Sequence, residues 1–189
     1  MGKIIIGLTG SMGSGKGEVT RVLQAKGFEY ISLSSMVREE ARRRGVPEER
    51  ERLMEVGNSM RAEGGTGVLA KKALEKIISS EQDLWVVDGI RNPAEIDVLR
   101  ESGLAHIVGV EANRDLLVSR ILSRARPGDA IAEAAIIAKL KREWGVGEPD
   151  DGQQVGRCMG KTDVTIVNEG TLAELDQKII SYYHLIVLK

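Results

Sequence analysis

The chain has only one cysteine, Cys158, which excludes an internal disulfide and a cysteine zinc site and fits a reducing cytosol. Long apolar runs are missing too. Ile4 to Leu8 is too short for the core of a signal peptide, and nothing approaches the length of a membrane span, so the expected location is the cytoplasm. Nor is there an excess of charge of one sign: 27 Lys+Arg face 28 Asp+Glu, for a formal net charge of -1. Without a global field drawing it to nucleic acid or a membrane surface, the protein must hold any anion by local placement of Arg and Lys. Internal repeats and low-complexity segments are absent. What is present is a chain of 189 residues, 42% hydrophobic and 29% charged, which is ordinary globular material for one domain with a substantial core.

Five short apolar runs read as strands: Lys3 to Thr9, Phe28 to Leu33, Leu84 to Asp88, Ala105 to Val110 and Val164 to Val167. Helical patterns separate them. Glu18 to Lys26 is closed by Gly27, and a helix capped by Ser34 or Ser35 runs to Gly45. Pro47 is placed to open a helix to about Glu63, and Val68 to Ser79 resumes after Gly64, Gly65 and Gly67. Asn92 and Pro93 open a helix ending at Gly103, Asn113 caps one to Arg126, and Pro127-Gly128-Asp129 forms a turn before a helix ending near Trp144. A short helix within 145–161 and a last one from Thr171 to about Tyr183 complete the pattern. Strands alternating with helices imply an α/β domain with a parallel sheet and right-handed crossovers. About fifty residues separate the second and third strands, and about fifty the fourth and fifth, an excess suited to covers over a ligand site.

The segment GLTGSMGSGKGEVT, residues 7 to 20, places a Gly-rich turn and a lysine between a strand and a helix. Gly10, Gly13 and Gly15 let the backbone turn its N–H groups inward, and the following helix adds its positive end, which together form an anion nest suited to a triphosphate. Gly10, Ser11, Met12, Gly13, Ser14, Gly15, Lys16, Gly17 and Glu18 are the expected nucleotide-binding residues, with Lys16 bridging the outer phosphates. The hydroxyl that the Walker A pattern places after the lysine is missing, because Gly17 stands there. LWVVD, residues 84 to 88, is an apolar strand ending in an acid, which would put Asp88 beside a Mg²⁺ shell; the same pattern also serves as a plain turn.

The loop resembles that of adenylate kinases and related nucleoside monophosphate kinases, in which glycine follows the lysine. That resemblance implies a three-layer P-loop NTPase fold, ATP and Mg²⁺ as cofactors, and a metal held largely through water and phosphate oxygens, with Asp88 acting through water. ISLSSMVRE, residues 31 to 39, is similar to the acceptor-binding segment of that family, which makes Arg38 a contact to the acceptor phosphate; DGIR, residues 88 to 91, makes Arg91 a second. SRILSR, residues 119 to 124, is similar to the helix end before the lid, where Arg120 would lie against adenine and Arg124 reach phosphate. Asn168-Glu169-Gly170-Thr171 resembles the turn bordering the adenine ring. By the same resemblance the acceptor-binding insertion covers about 34–80 and the lid region about 124–160 of a single domain, 1–189. GSGKGEV, VREEARRRG and VNEGTL match an archaeal family of adenylate-kinase-related P-loop proteins that brings no settled substrate.

Simpler readings stand beside these. Arg120 and Arg124 share a helix face and can be solvated. Arg42, Arg43 and Arg44 sit among Glu39, Glu40, Glu48 and Glu49 as a salt-laced helix. Glu18 suits a helix N-terminus, with a reach to the metal's water shell as its second role. Trp85 and Trp144 read as packing residues, and His106 and His184 have no partners suggesting a metal or triad. Dephospho-CoA kinase, which shares the resemblance, takes a hydroxyl acceptor and places a carboxylate base after the second strand. Ile31 to Ser35 contains no acid, so a phosphate acceptor clamped by Arg38 and Arg91 is preferred. The implied partner is a small-molecule nucleotide acceptor; nucleic acid is disfavoured by the charge balance, although an adenylate-kinase-like ATPase acting in RNA or ribosome assembly is the competing class. Oligomeric state has no sequence signature beyond the apolar tail HLIVLK, residues 184 to 189, as cover for an edge strand or a dimer contact.

Overall fold

In the computed structural model, which describes residues 3–124 and 132–187, five strands form one parallel sheet in the order β2-β3-β1-β4-β5. The strands are β1 (Ile4–Thr9), β2 (Glu29–Ser32), β3 (Leu84–Ile90), β4 (Ala105–Glu111) and β5 (Val164–Val167). β1 and the inner part of β3 are buried on both faces, which is why they read as unbroken aliphatic runs and not as alternating ones. Their carboxyl ends are tied directly, Thr9 Oγ1 donating to the Ile90 carbonyl at 3.0 Å.

Helices cover both faces. On one side α1 (Lys16–Gln24) and α9 (Leu172–Val187) bury Val19, Leu23, Leu175 and Ile179 against Ile6, Leu8, Val108 and Ile166. On the other, α2 (Leu33–Arg43), α3 (Arg50–Gly64), α4 (Val68–Ser79), α5 (Pro93–Glu101) and α8 (Val155–Met159) pack Met36, Met60, Ala73, Ile77, Ile96 and Cys158 over Ile5, Val87 and Ile107. α6 (Arg114–Arg124) and α7 (Glu133–Trp144) form a third, smaller core through Leu117, Ile121, Ile136 and Leu140. Fully burying side chains of this size contributes about 1.5–3 kcal/mol each, so the sheet and its two covers fix the positions of the strand ends where the site lies.

Several boundaries differ from the sequence reading. α2 follows β2 without a loop: Ser32 keeps extended backbone at the N-cap position, and Ser34 and Ser35 lie inside the helix. Ser35 Oγ donates back to the Ser32 carbonyl at 2.6 Å, so these serines tie the helix to the strand end instead of capping it. α3 starts at Arg50, not Pro47: Glu49 stands at the N-cap with extended backbone, and Glu48 before it pairs back to Arg42 of α2 at 2.6 Å. α9 continues past Tyr183, so 184–187 of the apolar tail extend a helix whose Ile186 packs against the α1 side of the core. Asn113 and Asn92 cap as expected, through Leu116 N and Ala94 N. Arg126 and the Pro127-Gly128-Asp129 turn lie outside the described residues. Among the described residues no helix is long and apolar enough to cross a membrane.

Candidate functional site

The loop between β1 and α1 lies at the carboxyl edge of the sheet. Gly10, Gly13 and Gly15 have φ of 134°, 84° and 109°, conformations that side-chain-bearing residues rarely adopt. Space adds a second requirement at two of them: a Cβ at Gly10 would strike the Val110 carbonyl, and one at Gly15 the Asn168 amide. Gly17 is different. It has no positive φ, and a Cβ there would meet nothing within 4 Å. The backbone could accommodate the absent hydroxyl, so Gly17 is a chemical choice and not a steric necessity.

Lys16 opens α1 and folds back over the loop, its Nζ donating to the Gly10 carbonyl at 2.5 Å and to Ser11 at 3.0 Å. Burial pushes its ammonium below the usual lysine range; Asp88 and then Glu143 oppose that shift, and Arg91 and Arg124 reinforce it. Asp88, Arg91 and Arg124, named from sequence, thus all act electrostatically on this one amine. Asp88 sits near the end of β3, where its Oδ1 accepts from Gly89 N at 2.7 Å and Tyr30 Oη lies 3.4 Å from Oδ2. Arg91 follows the strand, its backbone held by two buried anchors: Arg91 N donates to Glu95 at 2.8 Å, and its carbonyl accepts from Gln154 N at 2.6 Å.

On the far side of the loop, Asn168 Nδ2 donates to the Ser14 carbonyl at 2.7 Å, and Arg120 Nη2 to the Asn168 carbonyl at 3.1 Å. The turn resembling an adenine border therefore also braces the loop. Among the described residues, Ser14 Oγ and Arg120 Nη1 are buried without a hydrogen-bond partner. Gly170 is exposed in the turn, where Thr171 and Glu174 cap α9 reciprocally.

Other predicted residues are more peripheral. Arg38 is half exposed on α2, 3.4 Å from Ser34 Oγ and 3.6 Å from Glu48. Glu18 is paired with Arg21, which also bridges to Asp176 on α9. Glu18 thus lies in the first turn of α1, where an acid suits the helix N-terminus. The Arg42–Arg44 cluster is salt-laced as expected, but Glu40 at its centre is only 10% exposed and is held by Arg43 and Arg44 at 2.6 Å. Trp85 packs in the core, whereas Trp144 is 45% exposed beside an apolar cavity of about 260 Å³ that also touches Ser11 and Met159.

One residue at the loop was not foreseen. Glu143 of α7 is buried, its Oε2 accepting from Met12 N at 2.7 Å and its Oε1 lying 3.6 Å from Arg91. A signal existed: Glu143 falls on the same helix stripe as buried Ile136 and Leu140, where an acid is out of place without a partner.

With this geometry in view, the comparisons with known proteins become informative. The AAA domain family matches residues 9–137, from the end of β1 into α7. A UPF0200 protein from Methanothermobacter thermautotrophicus is 31% identical over 94% of this chain and 88% of its own length. Another, from Sulfurisphaera tokodaii, is 32% identical over 92% of each. Among solved structures, shikimate kinase from Acinetobacter baumannii in complex with shikimate superposes with a TM-score of 0.57 at 17% identity, covering 99% of this chain and 96% of its own. A gluconokinase from Sinorhizobium meliloti gives 0.54 at 19% identity over 95% and 90%. At that identity the structures speak for the fold, a three-layer parallel α/β P-loop kinase architecture, while the sequence relatives speak for kinship: the chain belongs to the UPF0200 family.

Proposed function

We propose that the protein is an ATP-dependent phosphotransferase that carries the γ-phosphoryl group of ATP·Mg²⁺ in line to a nucleoside monophosphate or a related small phosphate acceptor. The observation that carries this reading is the loop after β1, with Gly10, Gly13 and Gly15 at positive φ and Lys16 folded over it onto the Gly10 and Ser11 carbonyls, an amine on which Asp88, Arg91 and Arg124, from β3, its following turn and α6, all act electrostatically. The donor set fits the cofactor. Inward amides, the Lys16 ammonium and the unpartnered Ser14 hydroxyl suit phosphate oxygens, and Asp88 at the strand edge suits a metal's water shell. Mg²⁺ would supply charge neutralisation for the transferring group.

Lys16 would offset charge on the outer phosphates, Arg124 would reach the transferring group, and Arg120 with the Asn168–Thr171 turn would border the base. Arg91 and Arg38 would clamp the acceptor, with α2 to α4 as the acceptor-binding insertion and 124–160 as the lid region. Catalysis in this scheme rests on positioning and electrostatics. Shikimate and gluconate, after which two structural neighbours are named, are small anions, which supports a small anionic acceptor.

The test is product analysis with ATP·Mg²⁺ and a panel of nucleoside monophosphates. Phosphate appearing on an acceptor is the expected result. Release to water alone would replace this reading with that of a slow ATPase, which the engagement of Arg38 with Glu48 would favour.

A further inference from the structure

Glu143 joins two parts of the site that lie on different elements. It stands near the end of α7, its side chain is 8% exposed, and its two carboxylate oxygens have different partners. Oε2 accepts from Met12 N at 2.7 Å, and Oε1 lies 3.6 Å from Arg91 Nη2. The first contact is outside the cradle. The Ser11 carbonyl and the Met12 N–H are opposed ends of one trans peptide, so with Lys16 on the carbonyl, Glu143 braces the loop from the reverse side. A single backbone donor leaves a buried carboxylate short of compensation, and Arg91 supplies the opposite charge.

The chain that follows α7 holds the backbone of the same arginine. Gln154 is buried; its Nε2 donates to the Glu148 and Pro149 carbonyls at 3.2 and 2.9 Å, and its backbone N donates to the Arg91 carbonyl at 2.6 Å. From α5, Glu95 takes the Arg91 N–H at 2.8 Å. With its backbone fixed at both groups, Arg91 keeps freedom only in its side chain, which is 46% exposed. A guanidinium has five donors in a rigid fork, so one edge on Glu143 leaves the others for a bound anion.

We propose that Glu143 is a positioning residue for Arg91: its buried carboxylate, anchored to the back of the phosphate-binding loop, turns the guanidinium toward the acceptor's phosphate and fixes its distance from the loop. The proposal rests on the reading of Arg91 as an acceptor contact. It makes the end of α7 part of acceptor recognition, although no acceptor motif in the sequence includes that helix. A fixed separation between the loop that holds the donor and the arginine that holds the acceptor is what in-line transfer needs.

Two measurements test it. Glu143→Gln keeps a carbonyl oxygen for the Met12 amide and removes the charge that faces Arg91. With ATP·Mg²⁺ and the nucleoside monophosphate that turns over fastest in the panel, the variant should raise the acceptor KM about fivefold, the upper range for an ion pair with one half-exposed partner, and leave the ATP KM within about twofold. In an Arg91→Ala background the same substitution should leave the acceptor KM where Arg91→Ala alone puts it, because the effect runs through the guanidinium. A lower acceptor KM in Glu143→Gln, an ATP KM that rises as much as the acceptor's, or the full increase persisting without Arg91 would overturn the proposal. An acceptor KM unmoved by Arg91→Ala alone would instead overturn the acceptor reading beneath it, and no Glu143 variant is needed to see that. The second measurement requires neither turnover nor a change at Glu143. Guanidinium NMR of the unaltered protein, with Arg91→Lys to assign the signal, should show slowed rotation about the Arg91 Nε–Cζ bond; rotation as free as that of arginine in solution would overturn the proposal.

Discussion

The loop between β1 and α1 draws its donors from consecutive residues, Gly10 to Glu18, whereas the wall around it is assembled from Asp88 and Arg91 at the end of β3, Arg120 and Arg124 on α6, Glu143 on α7 and Asn168 after β5. The first is backbone chemistry, set by three glycines at positive φ and by the sheet edge behind them. The second is side-chain chemistry and exists only when the whole domain is folded. Where the two meet, the wall supports the loop: Asn168 holds the Ser14 carbonyl and Glu143 the Met12 amide. The difference assigns roles. On the proposed reading, the backbone cradle would hold a polyphosphate of the right size, and discrimination between nucleotides and acceptors would come from the side chains brought to it.

The sharpest way to break the loop side is at Gly10. A non-glycine residue there costs about 1–2 kcal/mol in conformation alone, before its Cβ meets the Val110 carbonyl. Gly10→Val should abolish nucleotide-induced thermal stabilisation and lower the melting temperature. Gly17→Ser, seven residues on, is the paired control: with nothing within 4 Å it should change stability by less than about 0.5 kcal/mol. Equal damage from both would mean that the loop is not built on its positive-φ glycines.

A gentler change sharpens the side-chain half. Arg43 and then Arg44 hold the Glu40 carboxyl at about 2, well below its ordinary 4.5. A depressed folded-state value means that this contribution to stability is fully present above about pH 4.5 and is lost as the pH falls toward 2. Hydrogen exchange should therefore show α2 and the α3 residues tied to it loosening within that window, with the loop helix α1 protected to lower pH. Glu40→Gln should remove the pH dependence while lowering baseline stability. An unchanged acid profile in that variant would show that the arginine cluster contributes nothing measurable there.

The same division explains what could be read from sequence. β1, the loop, α1 and the Asn92-Pro93 start of α5 are local patterns, and they stand where the sequence reading puts them to within a residue or two. That Asp88 and Lys16 share the carboxyl edge follows from the parallel α/β pattern, whereas the strand order β2-β3-β1-β4-β5 rests on long-range pairing that no local pattern carries. Three buried glutamates are harder. Glu40, Glu95 and Glu143 each lie on the apolar stripe of a helix. Glu95 belongs to the reciprocal cap with Asn92, and Glu40 to neighbouring arginines, so both have local explanations. The partner of Glu143 is a backbone amide 131 residues away, which no periodicity can reveal. The late start of α3 was likewise hidden, because Pro47 signals a first helical turn while Glu48 pairs back to Arg42 of α2 and the helix opens only at Arg50.

The most direct test of the account is the rate of ADP formation from ATP·Mg²⁺, with acceptor present, for the unaltered protein and for Lys16→Ala. Removing the buried ammonium that rests on the Gly10 and Ser11 carbonyls should lower turnover by roughly 10²-fold or more, by analogy with the loss of one preorganised charge contact, while the melting temperature without nucleotide stays at or above the unaltered value because a buried charge has gone. Turnover retained in Lys16→Ala would contradict the assignment of this loop as the site of phosphoryl transfer.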